Sequence, residues 1–283
     1  MYKIVSKRKL NDKMTWLVIE APLVARKAKP GQFIILRVNE EGERIPLTVA
    51  GTDAAEGTVK IIFQIVGATT ALLNAKNEGE FIQDFVGPLG VATHTDGIKK
   101  VCIVGGGVGC AIAMPVAQEF HRLGAEVTSI IGFRSKDLLI LEDEFRACSD
   151  KLVVMTDDGS YARHGNVTVP LKEMLEAGEK FDMVITIGPL IMMKFVTLAA
   201  KPFGVPVTVS MNPIMIDGTG MCGGCRLTLI QDGKRVTRFA CVDGPDFNGY
   251  EVDFDEAMSR GRMYFDFERH AYEETCSLLK GGN

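Results

Sequence analysis

The hydrophobic pattern of the chain changes near Lys99, and this change constrains the fold more than any other feature. Before it come short runs rich in Ile, Val and Phe, MTWLVIEAP, GQFIILRV and GTVKIIFQIV, separated by Pro, Gly and charged turns. Such runs are strands, and several of them within a hundred residues predict a small antiparallel barrel. From Lys99 the order becomes strand, Gly-rich turn, helix: KKVCIVGGG, a helical stretch to about His121, then AEVTSIIGF, KLVVMT, FDMVITIG and VPVTVSM as buried strands alternating with helical segments such as VPLKEMLEAG. That alternation predicts a parallel α/β sheet. After Val209 the periodicity stops. A loop rich in Gly and Cys, MIDGTGMCGGC, leads into RLTLI and RVTRFA, which form a hairpin around Asp232-Gly233, and a charged helical pattern runs from about Asp253 to Leu279. The expected fold class is a β barrel plus α/β, with segments 1–97, 98–209 and 210–283.

Composition narrows the functions open to this architecture. The 283 residues, 46% hydrophobic and 24% charged, suffice for about two domains of ordinary globular character. A net charge of -4 without a basic run gives no footprint for a phosphate backbone, so nucleic acid is not expected as a partner. No stretch approaches the ~20 apolar residues of a membrane helix, and MYKIVSKRKL turns polar too soon for a signal-peptide core. The expectation is a cytoplasmic protein without a membrane span. His94, His121, His164 and His270 are dispersed, which argues against hydrolase chemistry.

Of seven Cys, three cluster at 222, 225 and 241, which favours metal ligation over cross-linking. Asp217 lies five positions before Cys222, where the plant-type pattern C-x4-C-x2-C…C has its leading Cys, so Asp217, Cys222, Cys225 and Cys241 fit a 2Fe-2S cluster with one carboxylate ligand. Gly218, Gly220, Gly223 and Gly224 let the backbone fold tightly round such a cluster. A structural zinc accepts the same residues, and Asp217 is alternatively a turn residue. Two further signals concern nucleotides. Gly105, Gly106, Gly107, Val108 and Gly109 follow the strand VCIV and precede a helix, as a pyrophosphate-binding turn does, although Cys110 stands where G-x-G-x-x-G has its third glycine. The second strand ends near Arg134 without the usual acid for a ribose 2′-OH, so this loop leaves NAD against NADP open. Arg44-Ile45-Pro46-Leu47-Thr48 offers an Arg fork for a pyrophosphate and a Thr hydroxyl for a planar ring, but alone it equally describes an edge strand.

The order of these segments resembles the ferredoxin-NADP reductase superfamily over essentially the whole chain. Within it the chain resembles the dihydroorotate dehydrogenase electron-transfer subunit. It looks closer still to the small (alpha) subunit of NADH-dependent reduced ferredoxin:NADP+ oxidoreductase, also called sulfide dehydrogenase, through Asp217 and the strings RIPLT and IGPLIMMKF. The resemblance implies FAD on the barrel, with Arg44 on its pyrophosphate and Pro46, Leu47 and Thr48 along the ring. It also implies a second flavin motif at Val66, Gly67 and Thr70, and a barrel-closing turn at Gly87. NAD(H) is implied at Gly105–Gly109, at Arg134 and at Gly188, Pro189 and Met192, with Ile187 where many members have Cys. The implied cofactors are FAD, NAD(H) and a 2Fe-2S cluster on Asp217, Cys222, Cys225 and Cys241. The implied partner is a larger subunit with a second flavin and 4Fe-4S clusters, through which alone ferredoxin is reached. The function so implied is electron transfer within a bifurcating NADH-dependent ferredoxin:NADP+ oxidoreductase, with no proton-shuttling catalytic residue. The alternatives are the dihydroorotate dehydrogenase subunit and a zinc-stabilised nucleotide-binding regulator.

Overall fold

A computed structural model describes residues 1–281, and residues 282 and 283 of the expected third segment lie outside the described residues. Seven strands occupy the first ninety positions: β1 (Tyr2–Asn11), β2 (Met14–Glu20), β3 (Phe33–Arg37), β4 (Arg44–Asp53), β5 (Thr58–Gln64), β6 (Phe81–Ile82) and β7 (Asp84–Leu89). Helices α1 (Pro22–Ala25) and α2 (Ala68–Ala75) connect them. The strands pair in the order β6-β1-β2-β5-β4-β3-β7, antiparallel throughout, as a near-closed barrel. Alternation carries the apolar side chains inward, so Ile4, Leu17, Ile19, Ile34, Leu36, Val59, Ile61 and Phe63 form one buried cluster. Strand β1 is absent from the apolar runs because YKIVSKRKLN buries only Ile4 and lines the rest with polar or half-exposed groups.

The second layered unit comprises β8 (Lys100–Gly106), α3 (Gly109–Arg122), β9 (Glu126–Phe133), α4 (Glu142–Ala147), β10 (Lys151–Thr156), β11 (Arg163–His164), α5 (Thr168–Glu176), β12 (Met183–Ile187), α6 (Leu190–Ala200) and β13 (Val207–Ser210). Beyond it lie the hairpin β14 (Arg226–Gln231) and β15 (Lys234–Phe239), then β16 (Asp246–Asn248), α7 (Phe254–Arg260) and α8 (Phe265–Gly281). Asp232 and Gly233 turn the hairpin with φ of 50° and 73°, the positive pair a two-residue turn demands. The sheet order is β11-β10-β9-β8-β12-β13-β16, parallel except for β16, which returns antiparallel along β13. The expected charged helix is two helices. Asp253 caps α7 by accepting the Glu256 N–H at 3.0 Å, and the chain turns at Gly261 before α8 begins. No helix of the described residues is long and apolar enough to cross a membrane.

The segment between barrel and sheet is tied to β16. Thr93 donates its hydroxyl to Asp246 Oδ2 at 2.6 Å, while Asp246 Oδ1 is buried without a hydrogen-bond partner. Burial pushes the Asp246 carboxyl above its usual range, against the pull of the Thr93 and Ser210 hydroxyls. The folded chain therefore holds this proton more tightly than the unfolded one. The group's contribution to stability is complete below the unfolded value of about 4 and falls as pH rises, until the folded carboxyl ionises. Urea unfolding of Asp246→Asn between pH 4 and pH 8 is expected to show a smaller loss of stability with rising pH than the parent; parallel curves would refute the assignment.

Candidate functional site

The parallel sheet grows from β8 to β9 and β10 on one side and then crosses to β12 and β13 on the other, so the strand order reverses between β8 and β12. Open α/β sheets form their ligand crevice at that reversal. The structure brings two predicted motifs to its two sides. Gly107, at φ 56°, donates its N–H to Gly132 O at 2.9 Å and closes the turn after β8. A Cβ on Gly109 would lie 2.7 Å from Gly188 Cα and from the Ile187 carbonyl carbon, and a Cβ on Gly106 would run into the Met192 thioether. These glycines therefore let the start of α3 and the end of β12 approach, with Pro189 and Met192 beside them. Val108 precedes α3 without a side-chain cap, which leaves a helix N-terminus at the crevice, where an anion is favoured.

Arg134 is exposed at the end of β9, and the neighbouring strand supplies the acids that β9 lacks. Asp157 and Asp158 follow β10, and their N–H groups donate to Phe133 O at 3.0 Å and Arg134 O at 3.1 Å. The Ser160 hydroxyl and amide hold the Asp158 carboxyl below its usual range. Sequence reasoning missed this pair. The signal was the TDDG that ends KLVVMT, and only the register of β9 with β10 places it beside Arg134.

On the barrel, β4 pairs with β3 from Arg44 to Thr48 but meets β5 only from Val49 onward. The RIPLT stretch thus has one open edge, which accommodates Pro46 without loss of a ladder bond and leaves main-chain groups for a ligand. Val66 is exposed and Gly67 starts α2. The Thr70 hydroxyl accepts from the N–H groups of Val66 and Gly67, both at 3.0 Å, and donates to Gly67 O at 2.9 Å, so it closes the turn into α2. Gly87 packs under β3, where a Cβ would lie 3.2 Å from Phe33 O.

The Cys-rich loop is seated on the same barrel wall. Gly218 adopts φ 76°, and a Cβ there would come 2.6 Å from Leu89 and 2.9 Å from Ile35; Arg44 Nε donates to Ile216 O at 2.8 Å. Gly220 and Gly223 also take positive φ, so three glycines permit the tight wrap. Cys225 and Cys241 are buried with their Sγ atoms 3.2 Å apart, and burial, with the Cys225 thiol beside it, pushes the Cys241 thiol up to about 12. Half-buried Asp217 and exposed Cys222 form the second pair, in which Asp217 Oδ2 accepts the Cys222 N–H at 2.7 Å and Oδ1 accepts that of Thr219 at 2.9 Å. These bonds hold the Asp217 carboxyl below its usual range. Among the described residues no three His, Cys, Asp or Glu converge on one point. Two pairs suit a binuclear cluster, whose irons take two protein ligands each, better than a single tetrahedral ion. Anionic carboxylate and thiolates are donors such a cluster accepts.

The iron-sulfur cluster binding domain of dihydroorotate dehydrogenase B matches residues 212–253. A Thermotoga maritima protein named as a homolog of the dihydroorotate dehydrogenase B (NAD(+)) electron transfer subunit is 47% identical, over 96% of this chain and 94% of its own length. The Streptococcus pneumoniae electron transfer subunit of that name is 32% identical, over 87% and 94%. A chain from a solved NADH-dependent reduced ferredoxin-NADP oxidoreductase is 46% identical, covers 97% of both chains and superposes with a TM-score of 0.89. The ferredoxin reductase of a carbazole 1,9a-dioxygenase, at 16% identity and a TM-score of 0.61, shares the fold.

Proposed function

The chain belongs to the family of dihydroorotate dehydrogenase B electron-transfer subunits and their homologues, and on that premise we propose that it passes electrons between NAD(H), FAD and a 2Fe-2S cluster to or from a larger subunit. That subunit, in this reading, carries a second flavin and 4Fe-4S clusters, and the pair forms a bifurcating NADH-dependent ferredoxin:NADP+ oxidoreductase. The observation that carries the reading is the seating of the cluster loop on the flavin wall: Gly218 fits against Leu89 and Ile35, and Arg44 bonds to Ile216. One barrel face thereby serves both redox sites.

When bound, flavin and cluster convert a two-electron hydride into single electrons. The chain's own residues bind and orient. The Arg44 fork faces the pyrophosphate of FAD, and the open edge of β4 with Pro46, Leu47 and Thr48 supports its ring. Val66, Gly67 and Thr70 shape the second flavin turn, and Gly87 keeps the barrel wall close. Gly105 to Gly109, Gly188, Pro189 and Met192 receive the dinucleotide. Asp157 and Asp158 beside Arg134 favour a ribose hydroxyl and repel a 2′-phosphate, which supports NADH over NADPH. Asp217, Cys222, Cys225 and Cys241 hold the cluster. Exposed Ile214, Ile216, Met221 and Val242 ring that loop and suit a partner protein's docking there.

The alternative partner is a dihydroorotate-oxidising subunit with the same cofactors on this chain. Identity to the ferredoxin-NADP oxidoreductase chain, 46% against 32% for the Streptococcus subunit, supports the first partner, while the 47% identical Thermotoga protein carries the dihydroorotate name only as a homolog. Steady-state assays separate the two. The isolated chain is expected to reduce an artificial dye with NADH in preference to NADPH, and to couple NADH, NADP+ and ferredoxin only with its larger subunit. Ferredoxin-linked NADP+ reduction by the lone chain, or dihydroorotate oxidation by the complex, would overturn this assignment.

A further inference from the structure

The Arg44 side chain has a single hydrogen bond among the described residues, from Nε to Ile216 O at 2.8 Å. The remaining four N–H groups of its fork meet no protein acceptor there. Arg37, its register partner across β3 and β4, differs in that Asp84 neutralises it at 2.7 Å. The barrel thus balances one of two facing arginines internally and leaves the other's charge open at the flavin string. The carbonyl that Arg44 holds belongs to the residue before Asp217. Among the described residues no other barrel side chain hydrogen-bonds to the stretch from Ile214 to Cys225. The other barrel attachments are apolar: the seat of Gly218, and Phe33 and Ile35 in one buried cluster with Met215 and Cys225.

Resting on the functional reading above, we propose that Arg44 is a two-sided clamp, its fork on the FAD pyrophosphate and its Nε on the cluster loop, so that flavin binding orders the cluster ligands. A phosphate across the fork fixes the guanidinium plane, and a fixed plane fixes the direction of the Nε–H bond that Ile216 accepts. Because both effects are equilibria of one side chain, the clamp acts in both directions. FAD tightens the hold on the cluster, which shows as slower cluster loss, and the cluster tightens FAD binding by the same factor in affinity. A Lys at this position keeps the charge but has one ammonium, which cannot bind a phosphate and hold the carbonyl with a rigid fork.

The test uses the full chain, reconstituted with cluster, and measures the rate of cluster loss to an iron chelator with saturating FAD and after FAD removal. In the parent chain FAD is expected to slow the loss by up to about 5- to 150-fold, the usual range of coupling in affinity when all of it falls on the rate of loss. Arg44→Lys at saturating FAD is expected to bring that ratio close to one. A merely structural Arg44 would speed the loss in both states and leave the ratio intact, and a pure flavin anchor would weaken FAD binding but leave the saturated ratio intact. Either result overturns the clamp. A parent chain that binds both groups yet loses its cluster equally fast with and without FAD overturns it whatever the variant does. A chain that takes up no FAD or no cluster overturns the functional reading, and the clamp with it.

Discussion

Cys225→Ala is expected to abolish the cluster while the barrel still takes up flavin at saturating FAD. Cys225 is buried against Cys241 at 3.2 Å, and the two thiols form the inner pair of the four candidate ligands. Without Cys225 the inner pair is reduced to Cys241 alone, at a buried position. Metal affinity drops by 10 to 100-fold when even an outer supporting group is lost, so removal of an inner ligand leaves essentially no cluster. The RIPLT strand lies on the barrel and keeps its sequence, so at saturating FAD, which offsets the weaker flavin binding that loss of the cluster brings, NADH still reduces a flavin-linked dye while transfer to the larger subunit fails. Asp217 is the contrasting position. It is half-buried, outside the buried inner pair, and its carboxylate accepts the Cys222 N–H, so Asp217→Cys should retain a cluster and Asp217→Ala should weaken it and shift its EPR spectrum. Full occupancy with an unchanged spectrum in both Asp217 variants would make that residue a turn residue alone. Full occupancy in Cys225→Ala would refute the ligand set.

Gly109→Ala is expected to disable the nucleotide site and to destabilise the sheet around it. The added Cβ would sit 2.7 Å from Gly188 Cα and from the Ile187 carbonyl carbon, and main chain at the end of β12 has no rotamer with which to yield. Overpacking of this kind costs about 1–3 kcal/mol, and the separation of α3 from β12 that relieves it opens the turn which receives the dinucleotide. NADH affinity should fall by more than about tenfold, the equivalent of some 1.4 kcal/mol. Gly106→Ala is the control, because its new Cβ meets the end of the flexible Met192 side chain. Urea midpoints and NADH titrations of the two variants should therefore separate clearly. Equal, mild effects would show that the approach of α3 to β12 does not shape the site.

The parts of this architecture visible in the sequence are those whose signals are local. VCIV followed by Gly105–Gly109 is both a buried strand and a turn, and the hairpin at Asp232-Gly233 announces itself in two residues. Strand β1 escaped because it faces solvent along most of its length, and β16 because three residues paired to β13 carry no period. The site shows the same division. The four cluster candidates follow from spacing, whereas the seat of Gly218 on Leu89 and Ile35 joins segments more than a hundred residues apart. Asp157 and Asp158 became neighbours of Arg134 only through strand register, and Arg44 reached Ile216 across 172 positions. Contacts of that kind are tertiary, and no window along the chain contains both partners.

An anaerobic NADH titration of the full chain, followed by absorbance and EPR with iron, sulfide and flavin assayed on the same sample, shows whether one chain carries FAD and a 2Fe-2S cluster and fills both with electrons from NADH. About two iron, two acid-labile sulfide and one FAD per chain are expected. Addition of NADH is expected to bleach the flavin band and to bring up the signal of a reduced 2Fe-2S cluster. Stoichiometric zinc without sulfide, or a flavin that NADH reduces while an intact cluster beside it stays oxidised at every stage of the titration, would contradict this reading.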